Sequence, residues 1–162
     1  MSRLNNGDVF PMLTLETVGD GYLSIPHHMA GSHGVILIYR GSWCPYCNAQ
    51  LSAFARTKDK LDELGIKIVA FSVDDKVDAA TLVEKHRLNF PVGYGVDADR
   101  IAISTGAYVN NKPHYLQSTG FVLDPNGKVI TAVYSSGAIG RLVAEDVIGF
   151  IRYVKSKAQI AN

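Results

Sequence analysis

The sequence predicts an α/β domain, with a mixed central β-sheet, helices on both faces and an N-terminal β-hairpin extension. Three observations lead there. Two apolar runs, residues 35–39 and 66–73, read as buried strands, and a helical pattern over 47–64 lies between them. A second helical pattern over 76–87 follows, so the crossovers make parallel neighbours. A late hairpin, 121–124 with 128–134, adds antiparallel strands ahead of a final helix. The 162 residues, 47% hydrophobic and 19% charged, suit a single domain spanning 1–162. A chain of that size buries roughly 70% of its unfolded surface and needs no covalent staple.

Taken in order, Thr14-Leu15-Glu16-Thr17-Val18 and Tyr22-Leu23-Ser24-Ile25 flank Gly19-Asp20-Gly21, a hairpin with Asp-Gly turn chemistry. A loop over 26–34 holds three of the five histidines and reads as a solvated connection. In the helix that follows the first core strand, Cys47, Leu51, Phe54, Lys58 and Leu61 recur at intervals of four and three, and Gly65 stops it. Asp75 caps the next helix, with His86 on its surface. Pro91 keeps 88–92 extended. Asp97 or Asp99 opens a short helix ending near Thr105. Pro125-Asn126-Gly127 is a turn. The final helix is expected over 141–155, with Leu142, Val143, Val147, Ile148, Ile151 and Val154 inward. Residues 155–162 are expected to fray.

The chemistry concentrates in Tyr39-Arg40-Gly41-Ser42-Trp43-Cys44-Pro45-Tyr46-Cys47, which holds the only two cysteines. A strand leads in and a helix leads out, so both thiols fall on the first helical turn. A thiol reacts as its thiolate, with an ordinary pKa of about 8.5. The unpaired N–H groups and dipole of a helix N-terminus favour that negative charge. Pro45 fits the first helical position, where its missing N–H costs nothing. Arg40 offers a positive neighbour. Cys44, expected to be the more exposed, is the natural attacking thiol; Cys47, one turn further in, is the natural resolving thiol. Ser42, Trp43 and Tyr46 are candidate supporting residues. A zinc site would need two more ligands; no second cysteine pair exists, and His27, His28 and His33 could supply nitrogens, but dithiol redox chemistry without metal or cofactor is the preferred reading.

Four further stretches, Pro11-Met12-Leu13-Thr14-Leu15, Phe71-Ser72-Val73-Asp74, Glu84-Lys85-His86-Arg87-Leu88-Asn89-Phe90-Pro91 and Phe121-Val122-Leu123-Asp124-Pro125-Asn126-Gly127-Lys128, carry a resemblance over about residues 8–155. With them the chain resembles the thioredoxin fold, and more closely the peroxiredoxin branch called the alkyl hydroperoxide reductase/thiol-specific antioxidant (AhpC/TSA) family. The resemblance implies a thiol-dependent oxidoreductase that reduces hydroperoxides through Cys44 and Cys47. Departures are as informative. Peroxiredoxins carry a Pro seven residues before the attacking Cys, a Thr or Ser three before it, and an Arg ahead of the late strand. Here those positions are Leu37, Gly41 and Ser118. Thioredoxins carry a cis-proline at the same late-strand entry, where this chain reads Ser118-Thr119-Gly120.

Three functions therefore compete: a peroxiredoxin-like peroxidase, a thioredoxin-like thiol–disulfide oxidoreductase, and a non-enzymatic CxxC redox sensor. The partners expected are a hydroperoxide or disulfide substrate and a thioredoxin- or glutathione-type reductant, with the oligomeric state, a homodimer included, left open. A net charge of +1 offers no basic surface for nucleic acid, and no apolar stretch approaches the ~18 residues of a membrane span. Residues 1–8 lack the apolar core of a signal peptide, and two cysteines suit a reducing compartment, so a cytoplasmic location is expected.

Overall fold

The computed structural model describes residues 3–19 and 21–161. Along the chain, β1 (Leu13–Thr17) and β2 (Gly21–Ile25) form the opening hairpin, and a 3₁₀ turn (His27–Met29) leads to β3 (Gly34–Ile38). Then come α1 (Pro45–Arg56), α2 (Lys58–Glu63), β4 (Lys67–Phe71), α3 (Lys76–His86), β5 (Val92–Tyr94) and α4 (Ala98–Thr105). A small hairpin of β6 (Val109–Asn111) and β7 (His114–Leu116) precedes β8 (Thr119–Leu123), β9 (Val129–Tyr134) and α5 (Ala144–Ala161). Asp20, at the centre of the expected Asp-Gly turn, lies outside the described residues.

Seven strands join in the order β2-β1-β5-β4-β3-β8-β9, parallel across β3/β4 and β4/β5 and antiparallel elsewhere. This is the mixed sheet with an N-terminal hairpin that the sequence predicts. Both faces are covered, because side chains alternate along a strand. Val35 and Leu37 of β3, with Ile68 and Ala70 of β4, pack under Leu51 and Phe54 of α1, Leu82 of α3 and Ile148 and Ile151 of α5. Ile36 and Ile38, with Val69 and Phe71, face the other way onto Ile101 of α4, Phe10, Met29 and Phe121. Burial on both faces is why these strands read as continuous apolar runs. Strand β3 lies inside the sheet with every residue buried, so the loop at its carboxyl end is delivered from a fixed base.

Four features differ from the sequence reading. The helix expected over 47–64 breaks at Thr57. Its hydroxyl donates to the Ala53 carbonyl at 2.8 Å, and its backbone sits at φ −101°, ψ 13°, competing with the helical ladder. The 88–92 connection ends in a short strand, β5, that pairs with both β4 and β1. Strands β6 and β7, three residues each, were not expected, because they are too short and polar to show alternation. Helix α5 starts at Ala144, not Arg141, and runs to Ala161. Glu145 and Asp146 suit the positive end of the helix dipole, and Lys155, Lys157 and Ala158 are good helix formers. Arg141 is thereby freed from the helix.

Candidate active site

The end of β3 sets the site. The Tyr39 N–H continues the sheet ladder to the Phe71 carbonyl at 3.1 Å, and the chain then turns, with the Cys44 N–H reaching the Gly41 carbonyl at 3.1 Å. Cys44 is the N-cap of α1, with extended backbone (φ −90°, ψ 112°). Its Sγ accepts the Cys47 N–H at 3.3 Å, and its carbonyl accepts the Asn48 N–H at 3.0 Å, the first bond of the helix. That cap is usually filled by a Ser, Thr, Asp or Asn oxygen. Here a sulfur fills it, and Pro45 takes the first helical position as expected.

Two guanidinium groups meet the sulfurs. Arg40 Nη1 lies 3.6 Å from Cys44 Sγ. Arg141 Nη2 lies 3.5 Å from Cys44 Sγ and 3.1 Å from Cys47 Sγ. The Arg40 backbone N–H also donates to Cys47 Sγ, at 3.4 Å. Neither thiol reaches solvent, so the expected contrast shows as depth, with Cys47 the more enclosed, and in what surrounds each sulfur. Burial pushes the Cys44 thiol up, but hydrogen bonds from the Cys47 thiol, the Cys47 N–H and Arg40, with the charge of Arg141, bring it below the ordinary thiol range. Cys47 is held above that range by its deeper burial and by donating its S–H to Cys44. The two shifts run in opposite directions, so Cys44 is the thiol that gives up its proton more readily.

The remaining candidates take distinct places. Ser42 touches neither sulfur in any described hydrogen bond. Its N–H donates to Asp74 Oδ2 at 2.8 Å, and its carbonyl accepts Asn48 Nδ2 at 3.0 Å, which ties down the loop before Cys44. Trp43, half exposed, packs edge-to-face against Tyr115 with ring centroids 4.9 Å apart. Tyr46 is exposed beside the thiols and lies 5.8 Å from the Arg141 guanidinium. Ser118 is buried, with its carbonyl accepting the Ser135 N–H. Four contributors escaped the sequence reading: Asp74, Tyr115, Gln117 and Arg141. Asp74 read as part of a helix start and Arg141 as a helix residue. Tyr115 and Gln117 lie in and just after the hairpin that carried no periodicity. No spacing in the sequence points from any of them to the cysteines.

A fixed dithiol at a helix N-terminus, on the carboxyl end of an interior strand of a thioredoxin-like sheet, defines a thiol-dependent oxidoreductase. The model of the AhpC/TSA family matches residues 6–132. The chain belongs to that family. A Treponema denticola peroxiredoxin is 30% identical over 145 residues, covering 87% of this chain and 69% of that protein. A Chlorobaculum tepidum peroxiredoxin is 32% identical over 143 residues, covering 86% and 67%. Among solved structures, Mycobacterium tuberculosis AhpC superposes with a TM-score of 0.80 at 19% identity, covering 96% of each chain. Peroxiredoxin 6 of Arenicola marina superposes with a TM-score of 0.85 at 17% identity, over 96% of this chain and 76% of that one. At those identities the superpositions speak for the fold.

Proposed function

We propose that the protein is a thiol-dependent peroxidase in which Cys44 attacks the peroxide and Cys47 resolves. The observation that carries this reading is the placing of the two thiols: Cys44 Sγ caps the helix and faces the guanidinium groups of Arg40 and Arg141, which favours its charge, and Cys47 sits one turn further along, where burial disfavours its ionisation. The Cys44 thiolate attacks one peroxide oxygen and the O–O bond breaks. The other oxygen leaves with the bond pair, takes a proton and departs as an alcohol or water. Cys44 is then a sulfenic acid. Cys47 gives up its proton and attacks the Cys44 sulfur. The S–O bond breaks, the hydroxide takes a proton and leaves as water, and a disulfide remains. Two electrons and two protons from an external thiol restore the start. A thioredoxin- or glutathione-type donor fits this step, and such donors fit a cytoplasmic site of action. No described helix is long and apolar enough to cross a membrane.

The second reading, disulfide exchange with a partner, draws on the same adjacency, since a thiol at i+3 resolves a mixed disulfide as readily as a sulfenic acid. Stopped-flow fluorescence separates the two. Trp43 is the only tryptophan and sits beside Cys44, so its emission reports oxidation. Mixing reduced protein with hydrogen peroxide should give a change that outruns oxidation of free cysteine by orders of magnitude and vanishes in Cys44→Ser. A rate no faster than an ordinary thiol's, with rapid exchange against a model disulfide, would replace the peroxidase reading with the second.

A further inference from the structure

Arg40 is bound at all three guanidinium nitrogens. Its Nε donates to Gln117 Oε1 at 3.0 Å, its Nη2 donates to the Tyr115 hydroxyl at 2.9 Å, and its Nη1 faces Cys44 Sγ at 3.6 Å. The same group lies beside two rings, 4.9 Å from the Trp43 centroid and 5.3 Å from that of Tyr115. Tyr115 and Gln117 are themselves buried, at 8% and 7% exposure, so they make a stiff mount. A planar fork held this way cannot turn about its own axis, which a lysine ammonium could. Five N–H bonds are available on an arginine, three are used, and one each on Nη1 and Nη2 is left over.

Arg141 is committed differently. Its Nη2 is shared between the two sulfurs, and its Nη1 donates to the Ala138 carbonyl at 2.6 Å. Its buried Nε has no partner among the described residues, so it too has an N–H left over. Arg40 is the group whose guanidinium is fixed by side chains at both Nε and Nη2 beside Cys44 Sγ.

We infer that Tyr115 and Gln117 are positioning residues that fix the Arg40 guanidinium for the peroxide, doing from the end of β3 what the family's late-strand arginine does from the position that is Ser118 here. The inference rests on the peroxidase reading. As the O–O bond breaks, negative charge grows on the departing oxygen, and a preorganised donor aimed there stabilises the transition state more than the ground state. The glycine at 41 belongs to the same arrangement. A Cβ built there would lie 2.2 Å from Trp43 Nε1, so any side chain at 41 would displace the indole that floors the guanidinium.

The test compares two reagents on the same thiolate. Hydrogen peroxide needs its leaving oxygen stabilised, whereas iodoacetamide, which reads thiolate reactivity alone, makes no such demand. Both rate constants are taken at their high-pH plateau, so differences in thiolate fraction drop out. Tyr115→Phe and Gln117→Leu should each slow peroxide oxidation by about tenfold or more, while alkylation stays within about twofold. Gln117→Glu, which keeps an acceptor for Nε, should hold the peroxide rate within about threefold. Tyr115→Phe removes one oxygen only, so a folding defect in Gln117→Leu leaves the test intact. Parallel losses with both reagents would show a packing role, and unchanged peroxide rates would show no role; either overturns the inference while the peroxidase reading stands. A wild-type plateau rate with peroxide no higher than a free thiolate's removes both.

Discussion

Replacing Arg141 by methionine keeps the length of the stem and deletes the charge. The guanidinium reaches Cys44 Sγ at 3.5 Å and Cys47 Sγ at 3.1 Å, from a loop separated from the cysteines by most of the chain. A hydrogen bond to a charged group contributes about 1.5–3 kcal/mol. The 3.5 Å contact is long, and both Arg40 and the Cys47 N–H remain, so the lower end applies. About 1.5 kcal/mol is roughly a tenfold shift of the Cys44 equilibrium toward thiol. The ultraviolet absorbance of the thiolate, followed against pH in a Cys47→Ser background so that one thiol titrates, reads that equilibrium directly. Arg141→Met should move the midpoint upward, and alkylation at a pH below the midpoint should slow in proportion. A shift under about twofold, or one in the other direction, would mean that Arg141 orders the loop without stabilising the thiolate.

Two further outcomes follow from the same geometry. Gly41→Ser would return a hydroxyl to the place where peroxiredoxins carry one, yet it should lower the peroxide rate, because the new Cβ would strike the Trp43 indole; faster turnover in stopped-flow would contradict this. The reduced protein should also gain stability with rising pH relative to Cys44→Ser. The folded Cys44 binds its proton less tightly than the unfolded thiol, so its contribution is complete above the unfolded value of about 8.5 and is lost as pH falls through the lower folded value. Cys47 acts in the opposite sense above the unfolded value, since its folded form holds the proton more tightly. Urea midpoints of the two proteins across neutral pH check the sign, and parallel curves would count against it.

The sheet was legible because its interior strands are buried on both faces. Val35 through Ile38 are four apolar residues in a row, and no helix start or turn residue interrupts them. The thiols were legible for a similar reason: a strand, a Pro at the first helical position and a three-residue spacing are all local. What was hidden is what comes from afar. Arg141 stands 97 positions from Cys44, and Gln117 stands 77 from Arg40. Their contacts depend on how β8, β9 and the short hairpin fold back across the site, and a sequence pattern carries no such distance. The Thr57 break was hidden for another reason, since a hydroxyl that bonds its own helix leaves the apolar stripe untouched. Cys44 looked exposed from its place at the very start of the helix, but the packing of Arg40 and Arg141 around it covers the sulfur.

One atom in this fold has two jobs. Cys44 Sγ closes the first turn of α1 by accepting an amide, and it is also the atom on which the proposed cycle turns. A sulfur tied up in a disulfide no longer offers a full negative charge to that amide, and losing a helix cap costs about 1 kcal/mol. Each oxidation would therefore slacken the start of the helix and each reduction tighten it. The scaffold would register the electron count of its own reagent, without any separate hinge or sensor.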